Sequence, residues 1–276
     1  MRYRDDGSVN SDNMLYDQDE YTRRGSYHVD LNLSQKWLPR YFRRFHIVRE
    51  VLCTYVSRSA LIVDAGCGEG ELIEALRGEG FENAFGIDAF APFKMSNMVR
   101  GMLQKNPIKN ESVDVVIALD VLEHFPLQQQ QLVVDQISMI LKPGGIALVS
   151  FPNMAHLASR FTFMFSGRPW RNALVKHPGE LTLCERLEIF EKSNMLLLDS
   201  CGLHLTLSRN YSPNSLLSLL FTELMFHPSM PPSLCWTVVL LLAKCHVPAW
   251  FSGLLERPLR SALKTYKPVE KDPTRR

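Results

Sequence analysis

The chain has 276 residues, 46% of them hydrophobic and 22% charged, with a formal net charge of +2. This composition excludes a disordered or low-complexity protein, and so balanced a charge excludes a surface dedicated to wrapping DNA. The cysteines are scattered without a C-x-x-C pair, which excludes a zinc ribbon or a disulfide framework and points to a reducing cytosol.

Residues 1–25 are polar and rich in Asp and Arg, and lack the apolar stretch of a secretory leader. Across 33–56 the apolar residues, among them Leu38, Phe42, Phe45, Val48, Val51 and Leu52, fall at helical spacing and predict one or two helices. From Ala60 the texture changes. Residues 60–63 read as a short buried strand ended by the turn Gly66-Cys67-Gly68-Glu69-Gly70, and 71–77 as a helix. Residues 85–88, 113–118 and 146–151 read as strands. Residues 127–141 read as a helix stopped by Lys142-Pro143-Gly144-Gly145. A helix over 186–194 and a strand within 196–207 follow. Strands apolar on both faces, alternating with helices, predict an α/β fold with a parallel sheet covered on both sides.

Beyond residue 209, the stretches 215–226 and 234–255 are strongly apolar and precede a basic tail from Arg257. The expected organisation is an N-terminal tail and helices over 1–59, a core over 60–210 and a helical C-terminal appendage over 211–276. The most apolar run, 234–243, is too short to span a bilayer, which takes about 20 residues.

The turn at 66–70 joins a buried strand to a helix, where glycines permit positive φ and close approach of a ligand. A dinucleotide site needs G-x-G-x-x-G, but Glu71 stands where its third glycine belongs. That disfavours a nicotinamide-dependent oxidoreductase. Asp64 and Glu69 would also repel a pyrophosphate, and they suit a ligand carrying positive charge. Asp88 ends the second strand, where a carboxylate reaches ribose hydroxyls.

The segments V-D-A-G-C-G-E-G (63–70), G-I-D (86–88), D-V-V-I-A-L-D-V-L-E-H-F (114–125) and L-K-P-G-G-I-A-L-V-S-F-P-N (141–153) resemble the class I S-adenosylmethionine-dependent methyltransferases, in the branch of ubiquinone-type and sugar methyltransferases. The resemblance covers about 60–205 and implies a Rossmann-like seven-strand, mostly parallel sheet with helices on both faces. It implies S-adenosyl-L-methionine as cofactor. Gly66, Cys67 and Gly68 would line its methionine and ribose portions, Asp64 its amino end, and Asp88 its ribose hydroxyls. Ile87 and Ala89 would flank the adenine, with Asp120 and Val121 beside the reacting methyl. Met102 stands where the family often has an acidic residue for the adenine amino group, which leaves that role to backbone groups or Gln104.

Histidine, whose unperturbed pKa lies near neutrality, is the residue type best suited to take a proton from a hydroxyl acceptor. His124, after the fourth strand, and His177, in Lys176-His177-Pro178-Gly179-Glu180, are the candidates; His156 reads as a packing or capping residue. Asp120, Glu123, His124 and His177 are also similar to the ligands of magnesium-assisted ribose 2′-O-methyltransferases of small RNAs. That family has Glu in place of Asp120, and the chain lacks a basic stripe for RNA, so no metal is assigned.

The expected reaction is methyl transfer to a small-molecule, lipid- or sugar-linked acceptor, at oxygen. A non-catalytic module retaining the cofactor fold is the alternative. The aromatic and arginine residues of 157–174 read either as a lid over substrate or as a helix packed on the core. The C-terminal stretches 215–276 would close the pocket, form a homodimer or meet an anionic membrane peripherally.

Overall fold

The computed structural model describes residues 31–89, 96–168, 177–205, 230–249, 251 and 257–265. In chain order these form α1 (Leu31–Tyr55), β1 (Ile62–Ala65), α2 (Glu71–Gly78), β2 (Ala84–Asp88), β3 (Met98–Arg100), β4 (Val113–Leu119) and α3 (Leu127–Ile140). Then come β5 (Leu141–Pro152), α4 (Leu157–Ser166), α5 (Leu183–Lys192), β6 (Met195–Leu203), β7 (Thr237–Lys244) and α6 (Pro258–Thr265). All seven strands share one sheet in the order β3-β2-β1-β4-β5-β7-β6. The pairings from β3 to β5 are parallel, and β7 runs antiparallel to both of its neighbours. The expected α/β sheet with both faces covered is therefore present.

Two cores flank the sheet. On one face Ile47, Val48 and Leu52 of α1, Ile73 and Leu76 of α2, and Leu259 of α6 pack on Val115, Ile117 and Leu148. On the other, Val133, Val134 and Ile137 of α3 and Phe190 of α5 pack on Val116, Ala118 and Val149. This order leaves the carboxyl ends of β1, β2 and β4 side by side at one edge of the layers, where ligands bind in open parallel sheets.

The C-terminal expectation requires correction. Residues 237–244 are not part of a helix but form β7, inserted between β5 and β6. Val239, Leu241 and Ala243 enter one core, while Val238, Leu240 and Leu242 enter the other. A strand buried on both faces is apolar throughout, so periodicity cannot separate it from a buried helix; its Val-Val start and its length of 8 residues do. Each such side chain, fully withdrawn from water, contributes about 1.5–3 kcal/mol. The sheet thus crosses the expected boundary near 210.

The segment α6 is also tied in. His46 Nε2 lies 3.0 Å from the Ala262 carbonyl, Asp199 accepts from the Leu259 N–H at 3.0 Å, and Arg257 pairs with Asp199 at 3.5 Å. The helix expected over 215–226 and the basic tail beyond 265 lie outside the described residues. At the other end, 33–56 is one helix whose last turns belong to the core, and β3 is an additional short strand. Among the described residues no helix is long and apolar enough to cross a membrane.

Candidate active site

The turn after β1 is built by backbone geometry. Gly66 and Gly68 have φ of 83° and 54°, left-handed values that cost a residue with a Cβ about 1–2 kcal/mol. A Cβ on Gly66 would also lie 2.5 Å from Val121 Cγ2. The Gly66 N–H donates to the Ile87 carbonyl at 2.8 Å, and the Gly68 N–H donates to Asp88 Oδ2 at 3.1 Å. Parallel pairing of β1 with β2 sets Asp64 opposite Gly86 and Ala65 opposite Ile87. Gly86 has no side chain because Cys67 Sγ and Ile73 Cδ1 occupy that space.

Asp64, Gly66, Cys67, Gly68, Ile87 and Asp88 are thereby brought to one place, with half-buried Ala89 directly after Asp88. Burial, and secondarily the charge of Asp88, raises the Asp64 carboxyl to about 7. Burial also pushes the Cys67 thiol up, which marks a packed side chain and not a nucleophile.

Asp120 lies at the end of β4 with φ of 52°, a conformation that is uncommon outside glycine. Its carboxylate accepts from Ser150 Oγ at 2.7 Å and pairs with Arg44 of α1. Arg44 is almost fully buried and was not legible as a site residue, since nothing in the sequence marks a contact across 76 positions. Val121 follows, packed over Gly66. Nearby, Gln104 Nε2 donates to Gln129 at 3.2 Å, while its buried Oε1 has no hydrogen-bond partner.

The segment that follows Val121 is held together by side chains. Leu122–His124 forms a single 3-10 turn. The loop 177–180 is fastened to it: the Gly179 N–H donates to the Glu123 carbonyl at 3.1 Å, and Gln130 Nε2 donates to the carbonyls of Gly179 at 2.7 Å and Phe125 at 3.0 Å. Arg186 of α5 is 0% exposed and donates to Gln130 Oε1 at 2.5 Å and to the Gly179 carbonyl at 3.3 Å. This clasp sets the His124 and His177 rings edge to face, 5.0 Å apart. His177 Nδ1 donates to Glu180 Oε1 at 3.0 Å.

Glu123 is 1% exposed, and its Oε2 has no hydrogen-bond partner. Burial raises its carboxyl to about 7, against the lowering effects of its own backbone N–H and of Arg186. Glu180, Gln130 and Arg186 were missed as site residues, whereas the sequence singles out Glu123 only as one of four metal-ligand types. Only the spacing of Glu180, three residues after His177, could have signalled that carboxylate. His156 behaves as expected, capping α4 through an Nδ1 that accepts from the Ser159 N–H and stacking on Trp236. On α4, Phe161, Phe163, Met164 and Phe165 are exposed, so this helix is not a packed core helix along that side.

A sequence model of the methyltransferase domain matches residues 38–190, more than half of the chain. The chain belongs to that family. A probable S-adenosylmethionine-dependent methyltransferase of Mycolicibacterium smegmatis is 29% identical over 171 residues, 59% of this chain and 62% of the relative. A ubiquinone biosynthesis O-methyltransferase of Rickettsia canadensis is 32% identical over 120 residues, 39% of this chain and 50% of the relative. The chain thus spans about three fifths or less of these relatives' lengths.

Among solved structures, the methyltransferase in complex with the Haloferax volcanii Trm112 activator is similar at a TM-score of 0.56 and 15% identity, covering 83% of this chain and 98% of that one. The Burkholderia thailandensis 1,6-didemethyltoxoflavin-N1-methyltransferase, solved with S-adenosylhomocysteine, is similar at 0.54 and 15%, covering 83% and 87%. These likenesses show a shared fold. The fold is that of class I methyltransferases, and the relatives named above include an S-adenosylmethionine-dependent enzyme.

Proposed function

We propose that this chain transfers the methyl group of S-adenosylmethionine to a hydroxyl of a small-molecule, lipid- or sugar-linked acceptor. The observation that carries the reading is the turn at 66–68, opened for a ligand by two left-handed glycines and anchored on Asp88 at 3.1 Å. Asp88 would take the ribose hydroxyls, and Ile87 and Ala89 would flank the adenine. Asp64 pairs with the amino end, and a cation there returns its carboxyl to the ionised form. Gln104 Oε1, buried without a partner, is a fitting acceptor for the adenine amino group in place of the absent acidic residue. Asp120 and Val121 border the methyl.

The sulfonium already makes the methyl electrophilic, so the protein's task is alignment, exclusion of water and removal of the acceptor proton. In the transfer the S–C bond breaks and its electron pair stays on sulfur, giving a neutral thioether. The C–O bond forms, and the hydroxyl proton passes to a base. We assign the role of receiving it to His124 and His177.

The test is incubation with methyl-labelled cofactor and fractionated cell extract. Label in an alkali-stable ether of a small molecule or lipid is expected. Label only at nitrogen would overturn the oxygen assignment. Bound cofactor without any labelled product would favour a non-catalytic module.

A further inference from the structure

We propose that Glu123, His124 and His177 form a binding site for one divalent transition-metal ion, of the zinc, cobalt or ferrous type. The site itself needs no methyl transfer; only its role rests on the reading above.

Four observations converge. One ligand atom from each of the three residues lies within 4.8 Å of the other two. That is somewhat wider than the roughly 3.4 Å edge of a tetrahedron with bonds of about 2.1 Å, a gap that small side-chain rotations close. Second, Glu123 Oε2 is buried and has no hydrogen-bond partner. A buried carboxylate oxygen left bare is costly, and a metal bond satisfies it.

Third, His177 gives its Nδ1–H to Glu180, at 3.0 Å, and the Glu180 side chain is only 4% exposed. This fixes the tautomer with the lone pair on Nε2, in the carboxylate–histidine arrangement that orients imidazole ligands toward metals. Fourth, the loop that delivers His177 is clamped through Gly179 by Gln130 and buried Arg186, so the ligands are held by the fold.

A donor set of two imidazoles and one carboxylate selects borderline transition ions over magnesium, which prefers oxygen ligands and retains its waters. Asp120 is outside the set, being held by Arg44 and Ser150. Three protein ligands leave a coordination position for a hydroxyl of the acceptor. The ion lowers that hydroxyl's pKa so that its proton leaves to water, and in the metal-bound protein His124 and His177 act as ligands in place of bases. The substrate class that follows is an acceptor presenting a metal-binding oxygen, such as one of two neighbouring hydroxyls.

The test is titration of the metal-stripped full chain with Co2+ and Zn2+, read by calorimetry and by the visible absorption of bound Co2+, with Mg2+ as control. One equivalent of Co2+ with a ligand-field spectrum is expected, and Mg2+ should not displace it. His177→Ala should weaken binding more than about 100-fold, and Glu180→Gln about 10–100-fold, the usual effect of removing the partner that orients a ligand.

Absence of stoichiometric Co2+ and Zn2+ binding, or binding unchanged in both variants, would overturn the site. S-adenosylmethionine titration of the same samples verifies their fold and keeps the two readings separate. Metal bound without cofactor contradicts the methyl-transfer reading alone, and cofactor bound without metal contradicts this one alone.

Discussion

The two walls of the candidate site are built in different ways. The wall proposed for the cofactor, Asp64 to Gly68 with Ile87 and Asp88, comes from two neighbouring strands and one tight turn. Its key contacts are backbone N–H groups meeting a carbonyl and a carboxylate. The opposite wall gathers Glu123, His124, His177 and Glu180 from two distant stretches, and side chains hold it together: Gln130 and Arg186 bridge the 3-10 turn, the 177–180 loop and α5. The first wall can change little without losing its shape. The second can exchange side chains while the first stays intact, which is how one cofactor fold serves many acceptors.

The largest expected effect follows from that asymmetry. Arg186→Ala removes a fully buried cation, strands Gln130 Oε1 and leaves the Gly179 carbonyl with Gln130 Nε2 as its remaining donor. Thermal or denaturant unfolding should show a loss of about 3–5 kcal/mol, while the folded fraction keeps S-adenosylmethionine affinity within a few-fold. An equal collapse of cofactor affinity would mean the walls are not separable.

His124→Ala and His177→Ala should each lower turnover about 10²–10⁴-fold with cofactor affinity nearly unchanged. Near-normal turnover in both would reduce that wall to a positioning surface. Asp88→Ala is the mirror experiment: it should weaken the cofactor by about 1–3 kcal/mol, roughly five- to 150-fold, in calorimetry, with turnover at saturating cofactor largely preserved.

The smallest effect is on pH dependence. The Asp64 carboxyl is raised from 3.8 to about 7 by burial. Between those values the folded protein holds a proton that the unfolded chain has released. Its contribution to stability is therefore fully present below about 3.8, declines as pH rises and is lost above about 7. Asp64→Asn should flatten that decline in unfolding curves collected across this range. In the unaltered chain, cofactor affinity should rise with pH through about 7 as Asp64 ionises, and the Asn variant should lack the rise.

The two walls were also unequally legible in the sequence. Asp64, Gly66, Gly68 and Asp88 announce themselves because the turn's backbone conformation and the strand-end carboxylate are local requirements. The histidines were visible as residues, yet their meeting depends on Gln130 and Arg186, whose burial no local pattern reveals. Arg44 is a similar case, since only tertiary packing of α1 brings it to Asp120. The strand β7 was misread because a sheet interior buried on both faces erases the alternation that identifies strands. The glycine turn, by contrast, reads the same in any context, and the fold around it followed.

The central claim is that the turn between β1 and α2 binds S-adenosylmethionine through Asp88. Calorimetric titration of the full chain and of Asp88→Ala with S-adenosylmethionine, beside a reduced nicotinamide dinucleotide, addresses it directly. One equivalent of S-adenosylmethionine bound, a roughly fivefold or greater weakening in the variant and no dinucleotide binding are predicted. No saturable S-adenosylmethionine binding, or an affinity unchanged in folded Asp88→Ala, would contradict the account.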